Sequence, residues 1–492
     1  MSAKRIAIIG AGPGGLTAAM ILARRGHKVI VFEQKPLVGG RNAAMKLGPY
    51  MFDIGPTFLM MTFILREVFQ LAGRSADDYL DIKPLDPMYK LTFRDRELFP
   101  TTDRSRMKSE IDRVFPGNGV GLDKFHVREA ARFDRMYPCL KRPYGSLFSM
   151  FSKPMLRAFP RLSIGRNLYD VLGDYFSDEE LRISFTFQSK YLGMSPWQCP
   201  GAFGIIPYVE HAFGIDHVMG GLSVISEAMA KVAVEHGAVF RLGTRVRNVI
   251  VKNGRACGVV LSDGSTVAAD DVVVNADFGH AMETLFEPGI IRKYSPARLQ
   301  DKKYSCSTFM LYLGLDKVYD EPHHNVIFAD NYRANIEDIA RGAGPSDDMS
   351  VYVRNATITD PGLAPKGHSA LYILVPVANT RSGIQWTPEL TAKYRDKVIA
   401  RVASKTGMKD IASHIVQEKV ITPTTWVEEF NLFLGATFNL GHTLTQMLYF
   451  RPHNKFEEVD GVYLVGGGTH PGSGLPTIYE SARISADLIE AE

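Results

Sequence analysis

The hydrophobic pattern of the first thirty residues changes period twice. Residues 5–9, Arg-Ile-Ala-Ile-Ile, are a short apolar run suited to a buried strand. Leu16 to Arg25 carries apolar residues at helical spacing and stops at Gly26, and Lys28–Phe32 is a second run rich in β-branched residues. The predicted order is β-α-β. Residues 238–276 hold short β-rich runs separated by Asn253-Gly254 and Asp263-Gly264, two type I′ hairpin signals, which predicts a β-meander. Near the C-terminus, Gly461–Val465 reads as a strand, a glycine-rich turn follows, and a helix is expected from about Thr477 with Pro476 in its first turn. Pro138, Pro143, Pro154 and Pro160 predict short broken helices across 135–169. Internal repeats and low-complexity segments are absent.

With 492 residues the chain fits two or three lobes rather than one core. Apolar residues at 45% and charged residues at 22% exclude fibrous and disordered classes. Lys plus Arg at 57 against Asp plus Glu at 53 leaves only +4, too balanced for a general nucleic-acid binder. Cys139, Cys199, Cys257 and Cys306 form no Cys-x-x-Cys pair, so no metal site is expected and the thiols read as reduced. No uncharged apolar stretch reaches the ~18 residues that a membrane span needs. Lys4 and Arg5 ahead of apolar residues superficially imitate a secretory signal, but Gly10, Gly12, Gly14 and Gly15 and the lack of a cleavage region favour a structural role and a cytoplasmic location.

The first turn of the β-α-β unit reads Gly10-Ala11-Gly12-Pro13-Gly14-Gly15, a G-x-G-x-x-G pattern, and Glu33 closes the second strand. Gly10 allows the tight turn, Gly12 lets the backbone approach a pyrophosphate, and Gly15 permits close packing of helix on strand. Free N–H groups at the helix start suit phosphates, and Glu33 suits a ribose. Together these predict a dinucleotide site. Leu37-Val38-Gly39-Gly40-Arg41 then resembles the Gly-Gly-Arg extension of flavoproteins in the glutathione-reductase and amine-oxidase superfamily, which implies FAD, with Arg41 near its phosphates; alone, Arg41 would pass for a solvated turn residue. In that superfamily the meander returns the chain to the FAD domain, which implies that the backbone near Val246 meets the adenine and that Asn275-Ala276-Asp277 ends the returning strand; a plain core valine is the alternative. No second fingerprint offers a place for NADPH, so the substrate itself is expected to reduce the flavin, with oxygen or a quinone reoxidising it.

Further motifs resemble the bacterial carotenoid desaturases, the phytoene and dehydrosqualene (diapophytoene) enzymes. They are Phe52-Asp53-Ile54-Gly55-Pro56-Thr57, Tyr304-Ser305-Cys306-Ser307, His324-Asn325-Val326-Ile327-Phe328, Tyr449-Phe450-Arg451-Pro452-His453-Asn454, and Gly468-Thr469-His470-Pro471-Gly472-Ser473-Gly474-Leu475-Pro476. Several middle segments lean towards the C30 enzymes. The resemblance implies an α/β fold with a Rossmann-like FAD-binding domain, a mixed α+β substrate domain and a helical membrane-facing lobe. It also implies hydride transfer from an allylic carbon of a polyisoprenoid to FAD. Gly55, Pro56, Thr57, Gly467, Gly468, Gly474, Leu475 and Pro476 are expected around the flavin, the last helix pointing its positive end at it. Two weaker catalytic candidates stand beside these. Glu210 could ease a cation on the polyene or be a structural ion pair, and His470 could move a proton or only shape its loop. Asp53 reads equally as a turn-fixing side chain.

Residues 135–169 carry Arg135, Lys141, Arg142, Lys153, Arg157, Arg161 and Arg166 with no acid, interleaved with Tyr137, Tyr144, Phe148, Met150, Phe151, Met155 and Phe159. The readings are a membrane-surface segment on the inner face of the cell membrane, a solvated face with inward aromatics, or an RNA patch. The expected domains are 1–75, 215–285 and 455–492 for FAD, 76–129 and 286–454 for substrate, and 130–214 for the lobe. A carotenoid methyl oxidase, a retinoid saturase, or an isoprenoid carrier related to Rab escort and GDP-dissociation-inhibitor proteins are the competing readings.

Overall fold

The computed structural model describes residues 3–492, with side chains described outside 190–192. Strand β1 (Arg5–Ile9), helix α1 (Pro13–Arg24) and strand β2 (Lys28–Phe32) form the expected unit, with the helix opening three residues earlier than the apolar pattern, because Pro13 fits a first turn. They sit in a five-stranded parallel sheet of order Val462–Leu464, Asp271–Val274, β1, β2, Val239–Arg241. The side-chain period of two divides this sheet cleanly. Ile6, Ile8, Val29, Val31 and Val273 face a core shared with α1 and the helices Ser223–Glu235 and Leu475–Glu490. Ala7, Ile9, Val272 and Val274 face the opposite core.

That opposite core is covered by an antiparallel meander, Val246–Lys252, Arg255–Leu261 and Thr266–Ala268. The meander is therefore shorter than residues 238–276, whose outer runs, Val239–Arg241 and Asp271–Val274, join the parallel sheet instead. Asn253 and Gly254 both have positive φ, as a type I′ turn requires, whereas at the second hairpin only Gly264 does. There the Gly264 N–H donates to Leu261 O, which makes a type I turn closed by a left-handed glycine.

A seven-stranded sheet of order Ile415–Ile421, Ser307–Leu315, Ser369–Val377, Val351–Asn355, His324–Ile327, Lys90–Thr92, Glu97–Leu98 forms the second layer system. All its pairings are antiparallel except that of His324–Ile327 with Lys90–Thr92. Phe309, Leu311, Leu313, Leu371, Ile373 and Val375 pack against helix Pro388–Lys405 through Tyr394, Val398 and Val402. The alternate residues Met310, Tyr312 and Tyr372 turn the other way, towards Tyr50, Phe52 and Ile54.

Helix Gly119–Leu140 runs through Pro138, which lies in its last turn, so the break comes after 140. Short helices follow at Leu147–Phe151, Lys153–Ala158 and Phe159–Arg161. Among the described residues no helix is long and apolar enough to cross a membrane, and no group of His, Cys, Asp or Glu could hold a metal ion.

Candidate active site

One cavity of about 960 Å³ runs between the parallel sheet and the seven-stranded sheet, at the upper end of the roughly 300–1,000 Å³ usual for small-molecule sites. At one end it is lined by Gly10, Gly12 and Gly14 at the start of α1, with Glu33 at the end of β2. The glycines are steric necessities. A Cβ at Gly15 would stand 2.2 Å from Gly10 O, and one at Gly14 2.7 Å from Asn275 Oδ1. Gly15 therefore does its work behind the cavity, letting α1 lie on β1. Asn275, whose Nδ2 donates to Gly10 O at 3.0 Å, holds this turn from the neighbouring strand. Glu33 is buried, and its two oxygens accept from the N–H groups of Ala11 and Lys35, each at 2.9 Å. Each oxygen can accept once more. The convergence of a bare helix start, a glycine-rich turn and a fixed carboxylate fits a dinucleotide.

The wall continues through Gly40, Arg41, Gly55, Pro56, Thr57, Val246 and Asp277 to Gly467, Gly468, Gly474, Leu475 and Pro476. Gly39 lies just behind, its positive φ of 111° setting the bend that presents Gly40 and Arg41. Arg41 donates through Nη1 to Thr437 O at 2.6 Å. Desolvation lowers its pKa while Asp277 opposes the shift, and Asp277 is itself pushed up by burial and held back by Arg41. Asp277 in turn accepts from Asn439 Nδ2 at 2.7 Å. The helix Leu475–Glu490 has Pro476 in its first turn and that turn in the cavity wall.

The other arm of the cavity is apolar and aromatic, lined by Phe58, Met60, Phe187, Met310, Tyr352, Tyr372, Leu374 and Trp426 among others. Tyr372 Oη donates to Gly55 O at 2.9 Å and Tyr312 Oη donates to Ile54 O, so the large sheet grips the 54–57 segment. Behind it lies a buried ionic network. Arg354 Nη1 donates to Asp53 Oδ2 at 2.6 Å, and Arg354 also contacts His217 and His323. Asp53 is thus an ion-pair partner away from the cavity wall.

Glu210 and His470 line no part of the cavity. Glu210 Oε2 accepts from Tyr89 Oη at 3.1 Å and Gln188 Nε2 at 2.6 Å. Burial pushes its carboxyl up to about 8, so at neutral pH it is mostly protonated and offers little negative charge to a cation. It stands away from the cavity and makes no ion pair among the described residues. His470 stands edge-on to Tyr144 at 4.9 Å, and burial lowers its imidazole to about 3. It packs within its loop, away from the cavity. Sequence reasoning missed Asn275 as a site residue, although it sits in the strand end already singled out, and missed the aromatic wall, whose residues come from distant strands.

The family model of the flavin containing amine oxidoreductases matches residues 13–490. The chain is 49% identical over 486 residues to the 4,4'-diapophytoene desaturase (4,4'-diapolycopene-forming) of Methylomonas sp, spanning 99% of this chain and 95% of that one. It is 38% identical over 500 residues to the all-trans-zeta-carotene desaturase of Myxococcus xanthus, spanning 100% and 94%. Cyclohexylamine oxidase from Brevibacterium oxydans shares the fold, with a TM-score of 0.59 at 17% identity over 100% of this chain and 99% of that one. The fold and cavity thus define an FAD-dependent oxidoreductase, and the chain belongs to the flavin containing amine oxidoreductase family. Within that family it falls among the bacterial carotenoid desaturases.

Proposed function

We propose that this chain introduces conjugated double bonds into a C30 carotenoid precursor, dehydrosqualene. The observation that carries the reading is the continuity of one cavity from the glycine cradle to an apolar arm. A hydrocarbon chain has no polar handle, so its affinity must come from apolar area such as Phe58, Met60, Phe187, Met310 and Leu374 provide. The preference for C30 over C40 phytoene follows the higher identity to the diapophytoene enzyme than to the zeta-carotene enzyme.

Bound FAD supplies the acceptor for a hydride from an allylic carbon. The chain's own groups hold and orient. Gly10, Gly12, Gly14, Glu33, Gly40 and Arg41 would bind the dinucleotide, and the Val246 backbone the adenine. The helix starting at Leu475 would turn its positive end to negative charge developing nearby. The aromatic arm excludes water from the reacting carbons. In this reading residues 1–75, 215–285 and 455–492 form the FAD domain, 76–129 and 286–454 the substrate domain, and 130–214 a lobe on the inner face of the membrane. Support for the last comes from a surface where Leu147, Phe148, Phe151, Leu156, Phe159 and Ile164 are exposed, Phe148 by 86%. Arg142, Lys153, Arg157 and Arg161 beside them have no ion-pair partner among the described residues, whereas Lys141 and Arg166 are paired and Tyr144 and Met155 are buried. Oxygen or a quinone would reoxidise the flavin.

The test is product mass after incubation with liposomes carrying dehydrosqualene or phytoene. Loss of hydrogen pairs, faster with dehydrosqualene, supports the proposal. Gain of oxygen would make the chain a methyl oxidase, and gain of two hydrogens a saturase. Unchanged lipid with a colourless protein that takes up no FAD would make it a carrier.

A further inference from the structure

Desaturation removes two hydrogens from neighbouring carbons, and only one of them leaves as hydride. The other must leave as a proton, inside an arm of the cavity built to exclude water. We propose that Tyr352 accepts this proton from the substrate and passes its own to His324, so that the two act as the base of the reaction. The inference rests on the desaturase reading above.

Tyr352 lines the cavity beside Thr57. Its Oη lies 2.8 Å from Thr57 Oγ1 and 2.8 Å from His324 Nδ1, and a hydroxyl rotor can donate to either. Phe58 stacks on the His324 ring at 4.3 Å, so the imidazole lies directly behind the cavity wall without joining it. His324 is fully buried, and its Nε2 has no hydrogen-bond partner among the described residues.

Arg354 is matched by Asp53 at 2.6 Å, and Asp360 accepts from His217 Nε2 at 3.1 Å and from the Gly220 N–H at 2.6 Å. Desolvation, Arg354 and His217 hold His324 well below the ordinary histidine range, so it rests neutral. A weak base is sufficient, because the hydrogen next to a carbocation is strongly acidic.

The balance is closed. The electron pair of the first C–H bond leaves with the hydride to FAD, and the pair of the second C–H bond becomes the new π bond. That second hydrogen goes to Tyr352 Oη as the phenolic proton moves to His324 Nδ1, leaving neutral Tyr352 and an imidazolium. Tyr352 is thus a catalytic residue, and His324 acts through it.

The experiment uses FAD-loaded protein and dehydrosqualene deuterated at the carbon whose deuterium does not slow flavin bleaching, which is the carbon that loses the proton. Tyr352→Phe removes one oxygen, and His324→Asn keeps a polar atom near Nδ1 but cannot take the proton. In both variants product formation is expected to fall by about 10²-fold, the low end for a lost general base, and the isotope effect on it to rise above the wild-type value. Unchanged rates, or slower rates with an unchanged isotope effect, would overturn the proposal, the latter marking a purely structural role. Absorbance of bound FAD and Tm identify a misfolded variant, in which case the other variant decides. Failure of wild-type flavin to bleach with either carotenoid precursor would count against the desaturase reading instead.

Discussion

Gly15→Ala sets two opposed effects against each other. Gly15 lies inside α1, and alanine is the better helix former by about 1 kcal/mol. Propensity alone therefore predicts a more stable protein. Packing predicts the reverse, because the new Cβ would stand 2.2 Å from Gly10 O and 3.0 Å from Asn275 Nδ2. Carbon and oxygen rest at roughly 3.3 Å or more, so α1 must retreat from β1 by about 1 Å. Overpacking of this kind costs about 1–3 kcal/mol, which cancels or outweighs the propensity gain and leaves a net loss of about 0–2 kcal/mol. The retreat also carries the helix start away from the cavity. Losing one hydrogen bond to a charged group costs about 1.5–3 kcal/mol, which is about a 10–100-fold rise in the Kd for FAD. Flavin titration of apoprotein and thermal unfolding measure the two losses. Gly145→Ala, where nothing lies within 4 Å of the new Cβ, is the control and should change neither. A Gly15→Ala protein with wild-type Tm and a Kd within twofold of wild type would refute the steric account of the fingerprint.

Glu210→Gln is expected to leave turnover near wild type at pH 7 and below, since the carboxyl there is mostly protonated. Because its folded-state pKa of about 8 lies above the ordinary 4.5, the wild type loses stability from this group as pH rises from 4.5 through 8, by up to ~1.4 kcal/mol per pH unit. The variant should therefore show a shallower fall in Tm over that window, and equal slopes would contradict it. Asp53→Asn leaves the Arg354 guanidinium buried without its partner and should cost about 3–5 kcal/mol in denaturant unfolding; a loss under 1 kcal/mol would show that the network is not ionic. Phe148→Ser with Phe151→Ser should abolish most co-sedimentation with anionic liposomes while leaving bound FAD unchanged, each ring contributing up to ~1.5–3 kcal/mol on burial. Undiminished sedimentation would place any membrane contact elsewhere.

The β-α-β unit was legible because every level of the local sequence agrees on it: apolar period, glycine turn, closing acid. Its consequences in space were less so. Asn275 serves the glycine turn from a strand 265 residues away, and no local pattern announces such a contact. The meander was read too long because β-rich runs look alike whether they pair with neighbours in sequence or, like Asp271–Val274, with β1. Glu210 reads from sequence as a charged carboxylate, but complete burial against Tyr89 and Gln188 is a tertiary fact and leaves it mostly neutral at neutral pH. The aromatic arm was invisible for a related reason. Tyr352, Tyr372 and Met310 are ordinary alternating strand residues until sheet register places them on one face.

The most direct test of the account is an anaerobic titration of FAD-loaded protein with dehydrosqualene in liposomes, following flavin absorbance and the mass of the extracted lipid together. The account predicts one flavin reduced for each pair of hydrogens lost, with phytoene reacting more slowly. Persistent oxidised flavin with intact dehydrosqualene and phytoene, in folded protein carrying FAD, would contradict it.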